Sequence, residues 1–258
     1  MAENFTDLTG RVAVVIGSTS GLGRTIALGL ARAGADVVPT GRRESLVEEV
    51  CAEIERMGRQ TLRQAVDVTD RSAIDALRDA VKERFGHLEI LVNAAGGTSR
   101  KPTVKVTEEE WAAILDTNLT GMLRACQSFY EPLRGSGRGR IINIASLSSF
   151  VAFHEVAAYG VSKSGALALT RSLGAEWARD RINVNAIVPG VFRTELNAEL
   201  LDGTERGREL LLRTPMGRFG AAEELIGAAV FLASDAASFI TGQTITVDGG
   251  FLAAGVNS

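Results

Sequence analysis

Short β-branched runs alternate with longer amphipathic stretches along the whole chain. Val12-Ala13-Val14-Val15-Ile16 is unbroken apolar sequence, which predicts a strand buried on both faces over 11–16. The apolar spacing over 24–33 predicts a helix, and Gly34 stops it. The alternation then repeats: a strand at 36–40, a helix at 45–57 ending at Gly58, a strand at 61–66, a helix at 72–85 closed by Gly86, and a strand at 90–92. Pro39 is unwelcome within its strand because proline has no N–H to give a ladder. Thr107-x-x-Glu110 has the form of a capping box and opens a helix running toward Tyr130. Strands at 140–145, 182–188 and 244–247 and helices at 157–179 and 222–233 complete the series, while 194–213 is more polar and lacks a strong period. Seven strands joined by helical crossovers predict an α/β fold: a doubly wound parallel seven-stranded sheet with helices on both faces. With no repeat, low-complexity stretch or linker, residues 1–258 read as one domain.

Composition narrows the function. The 258 residues are 45% hydrophobic with 28 glycines and 5 prolines, as a large core with many tight turns requires. A formal net charge of −3, with no Lys/Arg block longer than a pair, gives no footprint for nucleic acid or an anionic membrane surface. No apolar run approaches the roughly 18 residues that span a bilayer, and the first residues lack a signal-peptide pattern. Cys51 and Cys126 stand far apart without a Cys or His cluster, so neither a metal site nor a disulfide framework is expected. A reducing, cytoplasmic setting is the expectation.

Three features carry chemistry. Gly17-Ser18-Thr19-Ser20-Gly21-Leu22-Gly23 follows the first strand and opens a helix, so glycines let the backbone approach an anion that the helix N–H groups then hold. Its Gly-x-x-x-Gly-x-Gly spacing differs from the Gly-x-Gly-x-x-Gly of other dinucleotide folds. Tyr159 and Lys163 stand four apart, on one face of a helix, with Ser146 thirteen residues upstream. A cation about 5 Å from a phenol, at an effective dielectric of about 20, favours the phenolate by ~3 kcal/mol, so the pair is a candidate proton donor. By itself the pair fits a solvated helix face equally well. Finally, Asp67-Val68, Asn93-Ala94-Ala95-Gly96, Ser146 and Pro189-Gly190 all end strands, where open α/β sheets collect ligands.

Taken together these motifs resemble the short-chain dehydrogenase/reductase family of single-domain type over essentially the full chain. The resemblance implies a Rossmann-like fold, NAD(P) at the glycine loop, and a catalytic tetrad of Asn118, Ser146, Tyr159 and Lys163. Tyr159 would pass a proton, Lys163 would lower its pKa and hold the nicotinamide ribose, and Ser146 would orient the substrate oxygen. Asn118, in Asp116-Thr117-Asn118-Leu119-Thr120-Gly121, would kink its helix and anchor a water. Val191 and Thr194 would hold the carboxamide. Two departures stand out: Ile16 replaces a threonine before the loop, and Ala94 replaces the second asparagine of Asn-Asn-Ala-Gly. Ile16 removes a hydroxyl that would brace the turn, and Ala94 an amide that ties neighbouring strands; both bear on stability more than on chemistry.

Strand two ends in Gly41, Arg42 and Arg43 instead of the acidic residue that binds a ribose 2′-hydroxyl. Guanidinium groups suit a 2′-phosphate, so NADP is expected over NAD, although Ser20 occupies a position that is often basic in NADP-preferring relatives. Residues 97–101, 148–154 and 193–213 should border the substrate, with Ser148 and His154 among its contacts and Arg100, Lys101 and Arg193 as cations for an anionic group. The stretches Met216-Gly217-Arg218-Phe219-Gly220 and 247–256 are similar to gluconate 5-dehydrogenases, which implies a sugar acid or polyol. A 3-oxoacyl-carrier-protein reductase is the alternative, and a non-catalytic cofactor sensor a further one. Ser162, Ser164, Gly165 and Ala166 make the Tyr/Lys helix smooth; relatives assemble through such helices, so a homotetramer is expected.

Overall fold

The computed structural model describes residues 5–193 and 198–255. Strands β1 (Val12–Ile16), β2 (Asp36–Thr40), β3 (Ile90–Asn93), β4 (Gly139–Ile144), β5 (Ile182–Pro189) and β6 (Thr244–Val247) form one sheet in the order β2-β1-β3-β4-β5-β6, all pairs parallel. The crossovers are α1 (Gly21–Arg32), α2 (Glu44–Arg56), α3 (Arg71–Phe85), α4 (Glu108–Leu115), α5 (Gly121–Ser128), α6 (Tyr130–Gly135), α7 (Ala157–Glu176), α8 (Ala198–Leu201), α9 (Glu205–Leu212) and α10 (Ile226–Ala233). Alternate residues of each strand supply the two cores. Val15, Val92, Ile142 and Ile187 pack under Ile26, Leu30 and Leu232, whereas Val14, Leu91, Ile141 and Val184 pack under Leu77, Phe129 and Leu173. This is the Rossmann-like arrangement, with helices on both faces.

The seventh strand, expected at 61–66, is not formed. Val37 N–H donates to Gln60 O (3.1 Å) and Val66 N–H to Gly41 O (3.0 Å), so the segment does run beside β2. Between those contacts, the residue whose N–H would face it is Pro39, which has none. The Thr40 hydroxyl bonds Gln64 O (2.6 Å) instead, and no continuous ladder results. The helix expected from 107 toward Tyr130 starts with the capping box: Glu110 N–H donates to Thr107 Oγ1 and Thr107 N–H to Glu110 Oε2 (3.2 and 2.9 Å). A π turn at Asp116–Thr120 then divides α4 from α5 and contains the buried Asn118.

The polar segment 194–213 contains two helices that its weak period concealed. Thr204 caps α9 by accepting from Gly207 N–H (2.9 Å), and Leu201 and Leu210 face inward. The brace that Ile16 does not provide comes from the fully buried Ser18. Its hydroxyl donates to Val15 O (2.7 Å) and accepts from Thr40 N–H (3.0 Å). Ser18→Ala would leave that N–H without its partner. An orphaned buried donor costs about 1–3 kcal/mol. The unfolding free energy is therefore expected to fall by that amount, read as a lower urea midpoint with an unchanged m-value, and an unaltered midpoint would contradict the bracing role.

Candidate active site

The register puts Ile16 beside Asn93, Asn93 beside Asn143, and Asn143 beside Ala186, so the expected strand-end residues leave the sheet at one edge. Gly17 has φ 83° there, and a Cβ on it would lie 2.4 Å from Ala95 N; a Cβ on Gly23 would lie 2.2 Å from Gly17 O. Only glycine permits either approach. The N–H groups of Gly17 and Ser18 are spent on Thr40 O (2.9 and 3.0 Å), so anion-facing donors must come from later in the loop. Ser20, the N-cap of α1, makes no side-chain cap bond, and no acidic residue occupies the first turn. The positive end of the helix is thereby left for an external anion.

At the tip of β2, a Cβ on Gly41 would lie 2.8 Å from the Thr19 methyl. No side chain fits between this tip and the loop. Arg42 and Arg43 are exposed on either side: Arg43 Nη2 donates to Ser20 Oγ (3.4 Å), and Arg42 helps hold the Asp67 carboxyl below its usual range. The main cause of that lowering is the backbone bond from Thr69 N–H to Asp67 Oδ1 (2.9 Å). Val68 packs against Gly121, where a Cβ would come within 2.9 Å of it.

Asn93 is buried and committed to the interior. Its Nδ2 donates to Asn143 Oδ1 (2.9 Å), and Asn143 Nδ2 donates to Thr170 Oγ1 on α7 (2.9 Å). The inter-strand tie that Ala94 does not supply is therefore made one residue earlier. Ala94, Ala95 and Gly96 offer backbone at the edge. A Cβ on Gly96 would lie 3.3 Å from both Asn118 Oδ1 and Lys163 Nζ, and one on Gly190 would lie 2.5 Å from Asp248 Cα. Pro189 ends β5 and Val191 follows the turn, whereas Thr194 lies outside the described residues.

The four tetrad positions converge. Asn118 Nδ2 donates to Gly97 O (2.9 Å) and Ser162 Oγ (3.0 Å), and its Oδ1 accepts from Gly97 N–H (2.8 Å). The Ser162 hydroxyl donates to Tyr159 O (2.7 Å), coupling the π turn to α7; sequence reasoning had assigned Ser162 only to helix smoothness. Lys163, 4% exposed, donates from Nζ to Ile144 O (2.7 Å) and lies 5.8 Å from the Tyr159 ring centre. Burial pushes the lysine down to about 8. It also pushes the Tyr159 phenol up, opposed by a side-chain hydrogen bond with Ser146. The expected depression of the phenol by its lysine is thus reversed here: desolvation disfavours both charged forms and outweighs their attraction. Ser146 Oγ also accepts from Ser148 N–H (3.2 Å).

The cations proposed for an anionic group are mostly engaged. Arg100 Nε donates to Glu155 Oε2 (2.9 Å), Lys101 Nζ reaches both Glu110 oxygens (2.7 and 2.8 Å), and Arg193 forms a bidentate pair with Asp202 (2.9 and 2.6 Å). The His154 side chain is 83% exposed, with Nδ1 3.9 Å from Glu155. Glu155 itself is held at φ 66°, an uncommon conformation for a non-glycine residue, directly before α7. A cavity of about 390 Å³ is lined by Val191, Met216, Arg218 and Asp248 among others, but not by Ser146, Tyr159 or Lys163. Among the described residues no cluster of His, Cys, Asp and Glu is arranged for a metal, and no helix is long and apolar enough to cross a membrane.

A glycine cradle at an uncapped helix, beside a serine, a tyrosine and a buried lysine, defines a dinucleotide-dependent oxidoreductase site. A family model described as "Enoyl-(Acyl carrier protein) reductase" matches residues 16–252. The chain is 40% identical over 249 residues to the 2-dehydro-3-deoxy-D-gluconate 5-dehydrogenase of Escherichia coli (strain K12), covering 95% of this chain and 97% of that one. It is 37% identical to the gluconate 5-dehydrogenase of Gluconobacter oxydans (strain 621H), covering 94% and 95%. The crystal structure of a gluconate 5-dehydrogenase from Burkholderia cenocepacia J2315 in complex with NADP and tartrate superposes with a TM-score of 0.93 at 38% identity, covering 97% and 98%. The chain belongs to the short-chain dehydrogenase/reductase family.

The buried lysine generates a stability prediction. Below about pH 8 it is charged in both folded and unfolded chains, and folding bears the full desolvation cost. Between about 8 and 10.5 the unfolded chain holds the proton more tightly, so stability rises with pH. Lys163→Met is therefore expected to gain roughly 1–3 kcal/mol at pH 7, an advantage that shrinks to nothing above about pH 10.5. Urea titrations across this range check it; a variant less stable than the parent at pH 7 would reverse the sign.

Proposed function

We propose that this protein is an NADP(H)-preferring dehydrogenase that interconverts a carbonyl and a secondary alcohol on a sugar acid or polyol, in the manner of gluconate 5-dehydrogenases. The observation that carries the reading is the buried Lys163, one helical turn beyond Tyr159 and bonded from Nζ to the Ile144 carbonyl two residues before Ser146. Support for the substrate class comes from the similarity to sugar-acid dehydrogenases over nearly the whole chain. Support for NADP comes from Arg42 and Arg43, exposed at the tip of β2 where other dinucleotide sites carry an acid, with Arg43 reaching Ser20 at the uncapped start of α1. A sensor without chemistry has no need of the complete tetrad.

The glycine-loop backbone from Thr19 to Gly23 holds the diphosphate, and Arg42 and Arg43 meet the 2′-phosphate. Asp67, Val68 and the 93–96 backbone would border the adenosine end, and Pro189, Gly190 and Val191 the nicotinamide. When bound, the cofactor supplies or accepts hydride. In reduction, Tyr159 gives its phenolic proton to the developing alkoxide, and in oxidation it takes the alcohol proton. Raised by burial, the phenol is neutral and ready to donate at pH 7. The Ser146 hydroxyl donates to the reacting oxygen and fixes its place. Lys163 would hold the nicotinamide ribose when the cofactor is bound, and Asn118 keeps the Gly97 backbone beside it. Ser148 and His154 border the substrate.

The same reading takes the chain as one catalytic domain, cytoplasmic, and assembled as a homotetramer. Of the small residues of α7, Gly165 packs on Leu119 and Ser162 bonds Asn118 within the chain, which leaves the exposed Ser164 for the contact face. The exposed Val161 and Phe150 would join it there.

Absorbance of reduced nicotinamide tests the function directly. NADPH-dependent reduction of 5-ketogluconate is expected, with acetoacetyl thioesters at least about tenfold poorer in kcat/KM; rates confined to the thioesters would overturn the substrate assignment. Tyr159→Phe should lower kcat by about 100-fold or more with little change in the NADPH KM, in the range of a lost general acid. Survival of turnover would remove Tyr159 from its role. Replacing Arg42 and Arg43 together by Ala is expected to lower kcat/KM for NADPH at least about tenfold, the size of lost charge-assisted bonds, with NADH altered less than about threefold. An equal loss on both cofactors would refute the 2′-phosphate contact.

A further inference from the structure

A sugar acid carries a carboxylate, and the segments bordering Ser146 and Tyr159 must offer it a cation. Arg100, Lys101 and Arg193 are already paired with Glu155, Glu110 and Asp202. Arg208 is 74% exposed, 4.0 Å from Glu205, and the Arg213 guanidinium lies over the Phe251 ring, 4.7 Å from its centre. Arg206 differs from all of these. It is only partly exposed, and its Nε–H is buried without an acceptor among the described residues. A buried donor in that state is a standing cost that an anionic oxygen would remove.

Its place in the fold supplies the second argument. Arg206 precedes Leu210 by one turn of α9, so the two share a helix face. Leu210 packs in a cluster with Leu201, Phe251, Ala145 and Leu147, and the last two bracket Ser146 in the chain. The face of α9 that carries Arg206 therefore belongs to the same apolar cluster as the two residues on either side of Ser146. We propose that Arg206 is the specificity-determining residue of this site, taking the carboxylate of a sugar-acid substrate side-on through Nε and one Nη. The guanidinium fork matches both oxygens of a carboxylate and has nothing comparable to offer a neutral ketose. The inference rests on the sugar-acid reading given above.

The test compares purified parent, Arg206→Ala and Arg213→Ala, with NADPH, on 5-ketogluconate and on D-fructose as a neutral ketose. Arg206→Ala is expected to raise KM for 5-ketogluconate at least about tenfold, the loss of a bidentate charged contact. The NADPH KM should stay within about twofold, since the contact is to the substrate alone. The preference for 5-ketogluconate over fructose should fall in step. Arg213→Ala removes the same charge just past the end of α9 and should change the 5-ketogluconate KM less than about threefold, as expected of a screened surface charge. If Arg206→Ala does not fold, Arg206→Lys keeps the charge but loses the fork, and a KM raised at least about threefold is expected. An unchanged KM, or an equal effect from Arg213→Ala, overturns the proposal while leaving the sugar-acid reading in place. A parent with no rate on 5-ketogluconate removes that reading and the role of Arg206 with it.

Discussion

The Lys163 ammonium bonded to the Ile144 carbonyl fixes the height of α7 over the sheet, and the rest of the site is arranged around that contact. The lysine belongs to a long helix and the carbonyl to the last residue of β4, one step before Ala145 and Ser146. Their 2.7 Å bond therefore sets where the neighbouring tyrosine stands relative to the serine. Burying an ammonium group is unfavourable, and the chain concedes its proton affinity to do so. Asn118 and Ser162 tie the same helix to the π turn through Tyr159 O.

Close backbone approach is the complementary constraint. Gly17, Gly23 and Gly96 occupy points where a methyl group would meet backbone or a reacting group. At these positions the sequence encodes an absence: the chain passes near itself, and an elongated anionic ligand can lie along the strand ends. The first two loop amides serve the fold, while those after them face outward. One short loop thus carries a structural half and a binding half, divided near Thr19.

Local patterns were legible in the sequence and long-range pairings were not. The strand and helix alternation, the glycine loop and the Tyr159–Lys163 spacing each lie within a few residues, so periodicity and turn chemistry expose them. The engagement of Arg100 by Glu155, 55 residues away, has no sequence signature. Neither has the exchange by which Ser18 takes over the bracing missing at Ile16. The direction of the Tyr159 shift was misjudged because charge proximity can be read from spacing and burial cannot. Helices α8 and α9 were missed because they are short and polar on one side, although Thr204 was a usable cap signal.

Pro39 deserves a last thought because it sits on the outermost strand. A row of free amides on such a strand is a template onto which another chain can add. Here the row is broken in its middle, and residues 60–66 are laid across it, with backbone–backbone bonds only at their ends. At the opposite margin β6 is four residues long. Both margins of a highly apolar parallel sheet are thereby poor partners for a stray strand. During synthesis and refolding, when such sheets are most prone to aggregate, the same proline that costs the fold its seventh strand works against intermolecular pairing.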